Sequence, residues 1–159
     1  MTRDELKAQI FRVAKGLRMP IHIPELPRAP MELPALKGKK ILFVDDGLDV
    51  IAAFLVPLML ATDGAAQFIH QIRQTPGELT REILALDPDV VLIDQYLGRS
   101  HGHELVKLLL AAKPGLLCIG FSNAPSAKES FSDAGAKFVV KEASSPWSSL
   151  EDVAKLVEK

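Results

Sequence analysis

The sequence lacks several features that define large classes of protein. It contains one cysteine in 159 residues, which excludes a disulfide framework, and Cys118 stands in an apolar run where a buried thiol is expected. The longest apolar run, residues 50–61, is too short to span a bilayer and contains Pro57. The first twenty residues mix charged and apolar side chains, unlike a secretory signal peptide. We therefore expect a cytoplasmic protein without a membrane partner.

Net charge is also nearly absent, because 19 Lys and Arg residues face 20 Asp and Glu residues. The charges are nevertheless uneven: residues 1–40 hold nine basic and four acidic side chains, and the rest of the chain holds ten and sixteen. A basic N-terminal region can contact an acidic partner or its own acidic domain. Basic and aromatic residues are not interleaved and no recognition motif is present, so nucleic acid is not favoured as a partner.

The N-terminal region divides into a helix and a proline-rich segment. Thr2 and Glu5 have the spacing of a capping box, and apolar residues follow at helical spacing, which predicts an amphipathic helix over residues 1–19. Residues 20–38 contain five prolines, which disfavour helix and interior strand and favour an extended chain. We expect a semi-rigid linker or a strap across the surface of the following domain.

From residue 39 onward, strand and helix patterns alternate. The strands are predicted over residues 39–46, 65–72, 89–94, 115–122 and 136–141. The helices are predicted over residues 48–61, 75–86, 102–112, 126–134 and 146–158. Five strands alternating with helices predict an α/β domain over residues 39–159, with a parallel sheet covered by helices on both faces.

Polar residues stand at the carboxyl ends of four of these strands. Asp45 and Asp46 end the first strand, Asp94 the third, Ser122 the fourth and Lys141 the fifth. Because parallel strands end at one edge of the sheet, these side chains are expected to meet. A cluster of oxygen ligands predicts Mg²⁺, and a lysine and a hydroxyl beside it provide a counter-charge and a donor for a phosphoryl group.

This pattern resembles the receiver domains of two-component response regulators. The resemblance covers residues 39–159 and rests on motifs in the family's order and spacing: Asp45-Asp46, the stretch DQYLGRSHGHEL from Asp94 with Gly102 and Glu104, Ser122, the AGA of residues 134–136, and Lys141. The resemblance implies a doubly wound, flavodoxin-like sheet with strand order 2-1-3-4-5, preceded here by the N-terminal amphipathic helix.

The resemblance also assigns a phosphoacceptor and a metal site. Asp94 would accept a phosphoryl group on its carboxylate to form an acyl phosphate. Asp46, with Asp45 behind it, would hold Mg²⁺ together with Asp94 and the backbone carbonyl of Tyr96. The chain would then be a phosphoprotein that depends on magnesium as its only cofactor.

The remaining implied roles concern the response to phosphorylation. Lys141 would pair with Asp94 before phosphorylation and with the phosphoryl oxygens afterwards. Ser122 would turn inward to donate to the phosphoryl group, and Phe138 would act as an aromatic switch that follows it. Two positions depart from the family pattern: Glu142 follows Lys141 where proline is usual, and Gly98 replaces another usual proline, which predicts a looser loop.

The function implied is a signalling domain and not an enzyme. It would take its phosphoryl group from a histidine kinase or a phosphotransfer protein and would switch an interaction with an unidentified output protein. The alternative is a pseudo-receiver, an interaction scaffold that is not phosphorylated. The helix over residues 48–61 lacks a polar face, so we expect the N-terminal helix to cover it, either within the chain or in a homodimer formed through one of these helices.

Overall fold

The computed structural model of the protein describes residues 1–71 and 73–158. The helices are α1 (Arg3–Gly16), α2 (Leu48–Ala61), α3 (Pro76–Leu86), α4 (Gly102–Ala112), α5 (Ala127–Ala134) and α6 (Pro146–Val157), with a 3₁₀ helix at Pro34–Leu36. The strands are β1 (Ile41–Asp45), β2 (Gln67–His70), β3 (Val90–Ile93), β4 (Tyr96–Leu97), β5 (Ser100–His101), β6 (Leu117–Ser122) and β7 (Lys137–Val140). The last residue of the predicted strand 65–72 and of the predicted domain 39–159 lies outside the described residues.

Five strands form one parallel sheet in the order β2-β1-β3-β6-β7. Numbered along the chain without the two short strands, this is the predicted order 2-1-3-4-5, so the predicted fold class is confirmed. The chain moves from β1 outward to β2 and then returns to β3 on the other side of β1. The crevice between the carboxyl ends of β1 and β3 is therefore the switch point where open α/β sheets bind their ligands.

The sheet separates two apolar cores. On one face, Ile41 and Phe43 of β1 join a cluster that includes α1, α2 and α6. On the other face, Leu42 and Val44 join residues of α3, α4 and α5. All five residues of β1 are buried, as expected for a central parallel strand covered by helices on both sides.

Helix α1 covers the apolar helix α2, as the sequence predicts. The Thr2–Glu5 capping box begins α1, and Leu6, Ile10 and Ala14 are buried in the same cluster as α2. This packing occurs within one chain, and a homodimer through either helix stays a prediction. Among the described residues, no helix has the length and apolar character required to cross a membrane.

The proline-rich segment lies as a strap against α1. The side chain of Lys7 donates to the carbonyl of Pro24 at 2.9 Å, and Arg3 donates to the carbonyl of Leu26. Extended proline-rich chain forms no internal hydrogen bonds, so its carbonyls are free to accept from side chains. Leu26 and Leu36 are buried in the core that contains α1 and α2, which fixes the strap to the domain.

The hairpin β4–β5 was not predicted, because two-residue strands are too short to produce a periodic pattern. Tyr96 pairs with His101 and Leu97 with Ser100. Gly98 lies between the two strands with a φ of 63°, which proline cannot adopt and which glycine adopts without strain. Glycine at this position thus allows a two-residue hairpin turn to close, and the expectation that it loosens the loop stays a prediction.

Candidate functional site

The candidate site lies where β1 and β3 end side by side. Asp45 is the last residue of β1, and Asp94 directly follows β3. The backbone N–H of Asp94 donates to the carbonyl of Val44 at 3.1 Å, which continues the pairing of the two strands by one residue. Adjacent parallel strands thus bring together two carboxylates that are 49 positions apart in the sequence.

Three carboxylates meet at this point. One oxygen each from Asp45, Asp46 and Asp94 can be chosen so that all three lie within 4.8 Å of one another. Asp45 and Asp94 are buried, whereas Asp46 is exposed. The predicted cluster of acids is therefore present, with two carboxylates buried and the third exposed at the surface.

Lys141 contacts the two buried carboxylates at once. Its Nζ lies 2.7 Å from Asp45 Oδ2 and 3.0 Å from Asp94 Oδ1, and only 6% of its side chain is exposed. Lys141 follows β7, at the edge of the sheet, and its long side chain reaches across the end of β6 to the crevice. One buried cation thus compensates part of the charge of three clustered acids.

The environment changes the protonation of Asp94. Burial raises its pKa to about 6, the nearby Lys141 ammonium opposes this increase, and the neighbouring Asp45 and Asp46 charges add to it. With every group ionised, the four side chains carry a formal charge of −2. The site is therefore short of positive charge in the absence of a further cation.

This donor set fits Mg²⁺. Its ligands are carboxylate oxygens, which hard divalent cations prefer, and a charge of +2 would neutralise the excess of negative charge. Asp46 is exposed, so the cluster is open to solvent and can admit an ion that retains some of its water. Tyr96 lies in β4 with an exposed side chain, and the ligand role of its carbonyl stays a prediction.

Ser122 is placed at the same edge of the sheet, at the end of β6. It is 1% exposed, and its Oγ accepts a hydrogen bond from the N–H of Ala124 at 3.2 Å. Its carbonyl accepts from the N–H of Lys141 at 3.0 Å, which ties the ends of β6 and β7 together. The hydroxyl proton is still available for donation to a group bound at the site.

Phe138 lies one strand further out, half-buried on β7. Its ring centroid is 6.0 Å from that of Phe131 on α5. Phe138 pairs in register with Gly120, where an added Cβ would come within 2.4 Å of the Phe131 ring. Glycine at this position of β6 therefore allows Phe131 to pack directly on the sheet, and a switching motion of Phe138 stays a prediction.

Two glycines support the site directly. The N–H of Gly102 donates to the carbonyl of Gln95 at 2.7 Å, and a Cβ on Gly102 would lie 2.1 Å from the carbonyl oxygen of Asp94. The N–H of Gly98 donates to Asp46 Oδ2 at 3.3 Å. The Gly-x-Glu motif marks Gly102 in the sequence, whereas no local pattern identifies the contact between Gly98 and Asp46.

The loop after Lys141 contains no cis peptide bond, since all peptide bonds within the described ranges are trans. Glu142 has an exposed side chain, so its charge lies toward solvent and not in the buried cluster. Its backbone N–H donates to the hydroxyl of Ser149 on α6 at 2.8 Å. Ser149 was not among the predicted site residues, because serine in the first turns of a helix is common.

Comparison with protein-family models and with curated proteins gives no match. Comparison with solved structures gives matches over about three quarters of the chain. The BeF3-activated DrrB receiver domain has a TM-score of 0.60 and 18% identity, over 76% of this chain and 98% of its own. A CheY-like response regulator receiver domain protein from Methanospirillum hungatei has a TM-score of 0.57 and 19% identity, over 76% and 96%.

A third structure, the signal receiver domain of a DNA-binding response regulator from Colwellia psychrerythraea, has a TM-score of 0.56 and 19% identity over 76% of this chain and 99% of its own. The chain has the fold of response regulator receiver domains. Each receiver structure is matched almost completely by about three quarters of this chain. About a quarter of the chain therefore lies outside the shared receiver fold, and the boundaries at 1–19, 20–38 and 39–159 stay predictions.

Proposed function

We propose that the protein is a phosphoacceptor signalling domain of a two-component system, and that Asp94 accepts the phosphoryl group. The observation that carries the proposal is the buried ion-pair cluster, in which Lys141 bridges Asp45 and Asp94 at the switch point of a receiver fold. The donor is a histidine kinase or a phosphotransfer protein, which places the domain in the cytoplasm.

The chemistry follows from the groups present. An oxygen of the Asp94 carboxylate attacks phosphorus, the bond from phosphorus to the donor's leaving atom breaks, and the leaving group takes that electron pair. The product is an acyl phosphate on Asp94. Asp45, Asp46 and Asp94 would hold Mg²⁺, whose positive charge would offset the repulsion between the carboxylates and the incoming phosphoryl oxygens.

Lys141 and Ser122 then respond to the new group. Phosphorylation replaces the single charge of Asp94 with a larger one, so the ammonium of Lys141 is attracted from Asp45 toward the phosphoryl oxygens. The hydroxyl of Ser122, which accepts from Ala124 in the unphosphorylated structure, donates its proton to the same oxygens. Because Ser122 and Lys141 end adjacent strands, both movements act on the surface formed by β6, β7 and α5, where Phe138 lies.

The output is a changed affinity for another protein and not the turnover of a substrate. Phe138 carries no hydroxyl, so it reports the state of the site through packing against Phe131. The partner that binds this surface is an output protein.

Intact mass measured after incubation with Mg²⁺ and a small acyl phosphate tests the proposal. The native protein is expected to gain one phosphoryl group, and Asp94→Asn is expected to gain none. Asp133→Asn is the matched control, because Asp133 is an exposed aspartate on α5 away from the cluster. A native protein that stays unmodified while folded and supplied with Mg²⁺ would contradict the proposal and leave the scaffold alternative.

A further inference from the structure

The backbone on either side of Lys141 faces the open edge of the sheet. In a strand, successive residues direct their N–H and C=O groups to alternate sides, and the N–H of Lys141 points inward to the carbonyl of Ser122. The carbonyl of Val140 and the N–H of Glu142 therefore point away from β6. Because β7 is the edge strand, no neighbouring strand can pair with these two groups.

Ser149 satisfies both groups with one side chain. Its hydroxyl accepts from the N–H of Glu142 at 2.8 Å and donates to the carbonyl of Val140 at 3.0 Å. The residue is 1% exposed, so water does not compete for these bonds. A hydroxyl suits this position because it supplies one donor and one acceptor at a single atom.

We propose that Ser149 is a positioning residue for Lys141, and that it holds the lysine at the carboxylate cluster by fixing the backbone on both sides of it. The proposal rests on the proposed function, in which Lys141 provides the counter-charge for the phosphoryl group. It also accounts for Glu142: a residue with a backbone N–H at this place requires an acceptor, and Ser149 provides it.

The position of Lys141 depends on this backbone because its side chain spans a long gap. Its Nζ must reach Asp45 and Asp94 across the end of β6, and each contact is shorter than 3.1 Å. A shift of the backbone after β7 moves the base of the side chain and lengthens one or both contacts. Helix α6, which carries Ser149, packs against β7 and against the 3₁₀ helix of the strap, so Ser149 is itself held in place by contacts with two other elements.

Phosphorylation rates of variants test the role. Ser149→Ala is expected to lower the maximal rate of phosphorylation by an acyl phosphate about tenfold. The donor concentration that gives half of the maximal rate is expected to stay the same, because the substitution impairs the placement of Lys141 and not the binding of the donor. Ser149→Thr retains the hydroxyl and is expected to keep most of the native rate. Ser148→Ala is the matched control, since Ser148 is the exposed neighbour on the same helix.

A double-variant comparison separates positioning from general stability. If Ser149 acts through Lys141, then Lys141→Ala and Lys141→Ala/Ser149→Ala are phosphorylated at the same slow rate. A further loss in the double variant, or a native rate in Ser149→Ala, would overturn the proposal. Thermal unfolding of each variant confirms that the rates are measured on folded protein.

Nuclear magnetic resonance distinguishes failure of this proposal from failure of the proposed function. The side-chain ammonium of Lys141 is buried and bonded, so its protons are expected to exchange slowly with water and give an observable signal in the native protein and in Ser149→Thr. The signal is expected to vanish in Ser149→Ala. If the native protein is never phosphorylated, the function fails, and persistence of the signal in Ser149→Ala would independently refute the positioning role.

Discussion

The ammonium of Lys141 lies 2.7 Å from Asp45, closer than the 3.0 Å that separates it from Asp94. The resemblance implies a pair between Lys141 and Asp94, and the structure shows this pair together with a second, shorter contact to Asp45. Asp94 is thus only partly compensated by its cation, and the site keeps an unneutralised charge.

Removal of the Lys141 ammonium is expected to destabilise the protein in the absence of metal. Lys141→Met leaves two buried carboxylates without their partner, which costs about 3 to 5 kcal/mol of unfolding free energy. Addition of Mg²⁺ is expected to recover more stability in this variant than in the native protein, because the remaining charge at the site is larger. Urea unfolding with and without Mg²⁺ measures both effects.

The control is Lys155→Met, which removes an exposed lysine with a long 3.8 Å contact to Asp152 and is expected to change stability by less than about 1 kcal/mol. Equal gains from Mg²⁺ in the native protein and Lys141→Met would contradict the assignment of the metal to this cluster.

The contribution of Asp94 to the free energy of unfolding is expected to decrease as the pH rises. Its native pKa of about 6 lies above the ordinary value of 3.8, so the folded state binds the proton more tightly than the unfolded state. The stabilisation is complete below pH 3.8 and is lost as the pH rises to about 6. By linkage the difference amounts to at most about 3 kcal/mol. Melting temperatures of native protein and Asp94→Asn, measured without metal from pH 4 to pH 8, check this.

Asp94→Asn does not titrate, so its stability relative to the native protein is expected to increase between pH 4 and pH 6 and then stay level. Asp133→Asn serves again as the control and should follow the native pH profile. A native profile parallel to that of Asp94→Asn would refute the raised pKa. Addition of Mg²⁺ should raise the stability of the native protein relative to that of Asp94→Asn, because a bound cation favours the ionised form of Asp94.

A side chain at Gly102 is expected to displace the backbone of Asp94, the proposed phosphoacceptor. Gly102→Ala places a Cβ against the backbone carbonyl oxygen of Asp94, and α4 must move to relieve the contact. We expect a loss of about 1 to 3 kcal/mol of stability, as for overpacked cores, together with slower phosphorylation. Gly115→Ala is the control, since among the described residues no atom beyond those of Gly115 and its two chain neighbours lies within 4 Å of the new methyl group. A change within about 0.5 kcal/mol is expected.

The N-terminal helix is expected to contribute directly to stability. Ile10 is fully buried between α1 and the core, so Ile10→Ala should cost about 2 to 5 kcal/mol in urea unfolding. Lys15→Ala, on the exposed side of α1, should change stability by no more than about 0.5 kcal/mol. Equal effects of the two substitutions would show that α1 does not remain packed in solution.

Deletion of residues 1–36 extends the same prediction. It removes the cover from α2, whose apolar surface is then open to water, and we expect self-association and a lower melting temperature. Size-exclusion chromatography with light scattering measures the association. A truncated protein that stays monomeric with the native melting temperature would show that the cover is dispensable.

Local pattern was sufficient for most of the fold. The capping box at Thr2 begins α1 as predicted, and the five long strands and five helices after residue 39 occur where the apolar pattern predicts them, within two residues at most ends. Such features depend on neighbours a few positions apart, so one sequence reveals them. The polar strand ends gave the candidate site because parallel strands must end at a common edge.

Only the tertiary structure decided how these residues are joined. Lys141 and Asp45 are 96 positions apart, and their 2.7 Å contact depends on the packing of β7 against β6 and of β6 against β3. The same holds for the Gly98 N–H at Asp46 and for the hydroxyl of Ser149 beside Glu142. For α1 on α2, the sequence predicts the contact, and the structure shows that it forms within one chain. Residue type and spacing determine which groups can meet at a sheet edge. The close packing of the whole core fixes the distances between these groups to within a few tenths of an ångström.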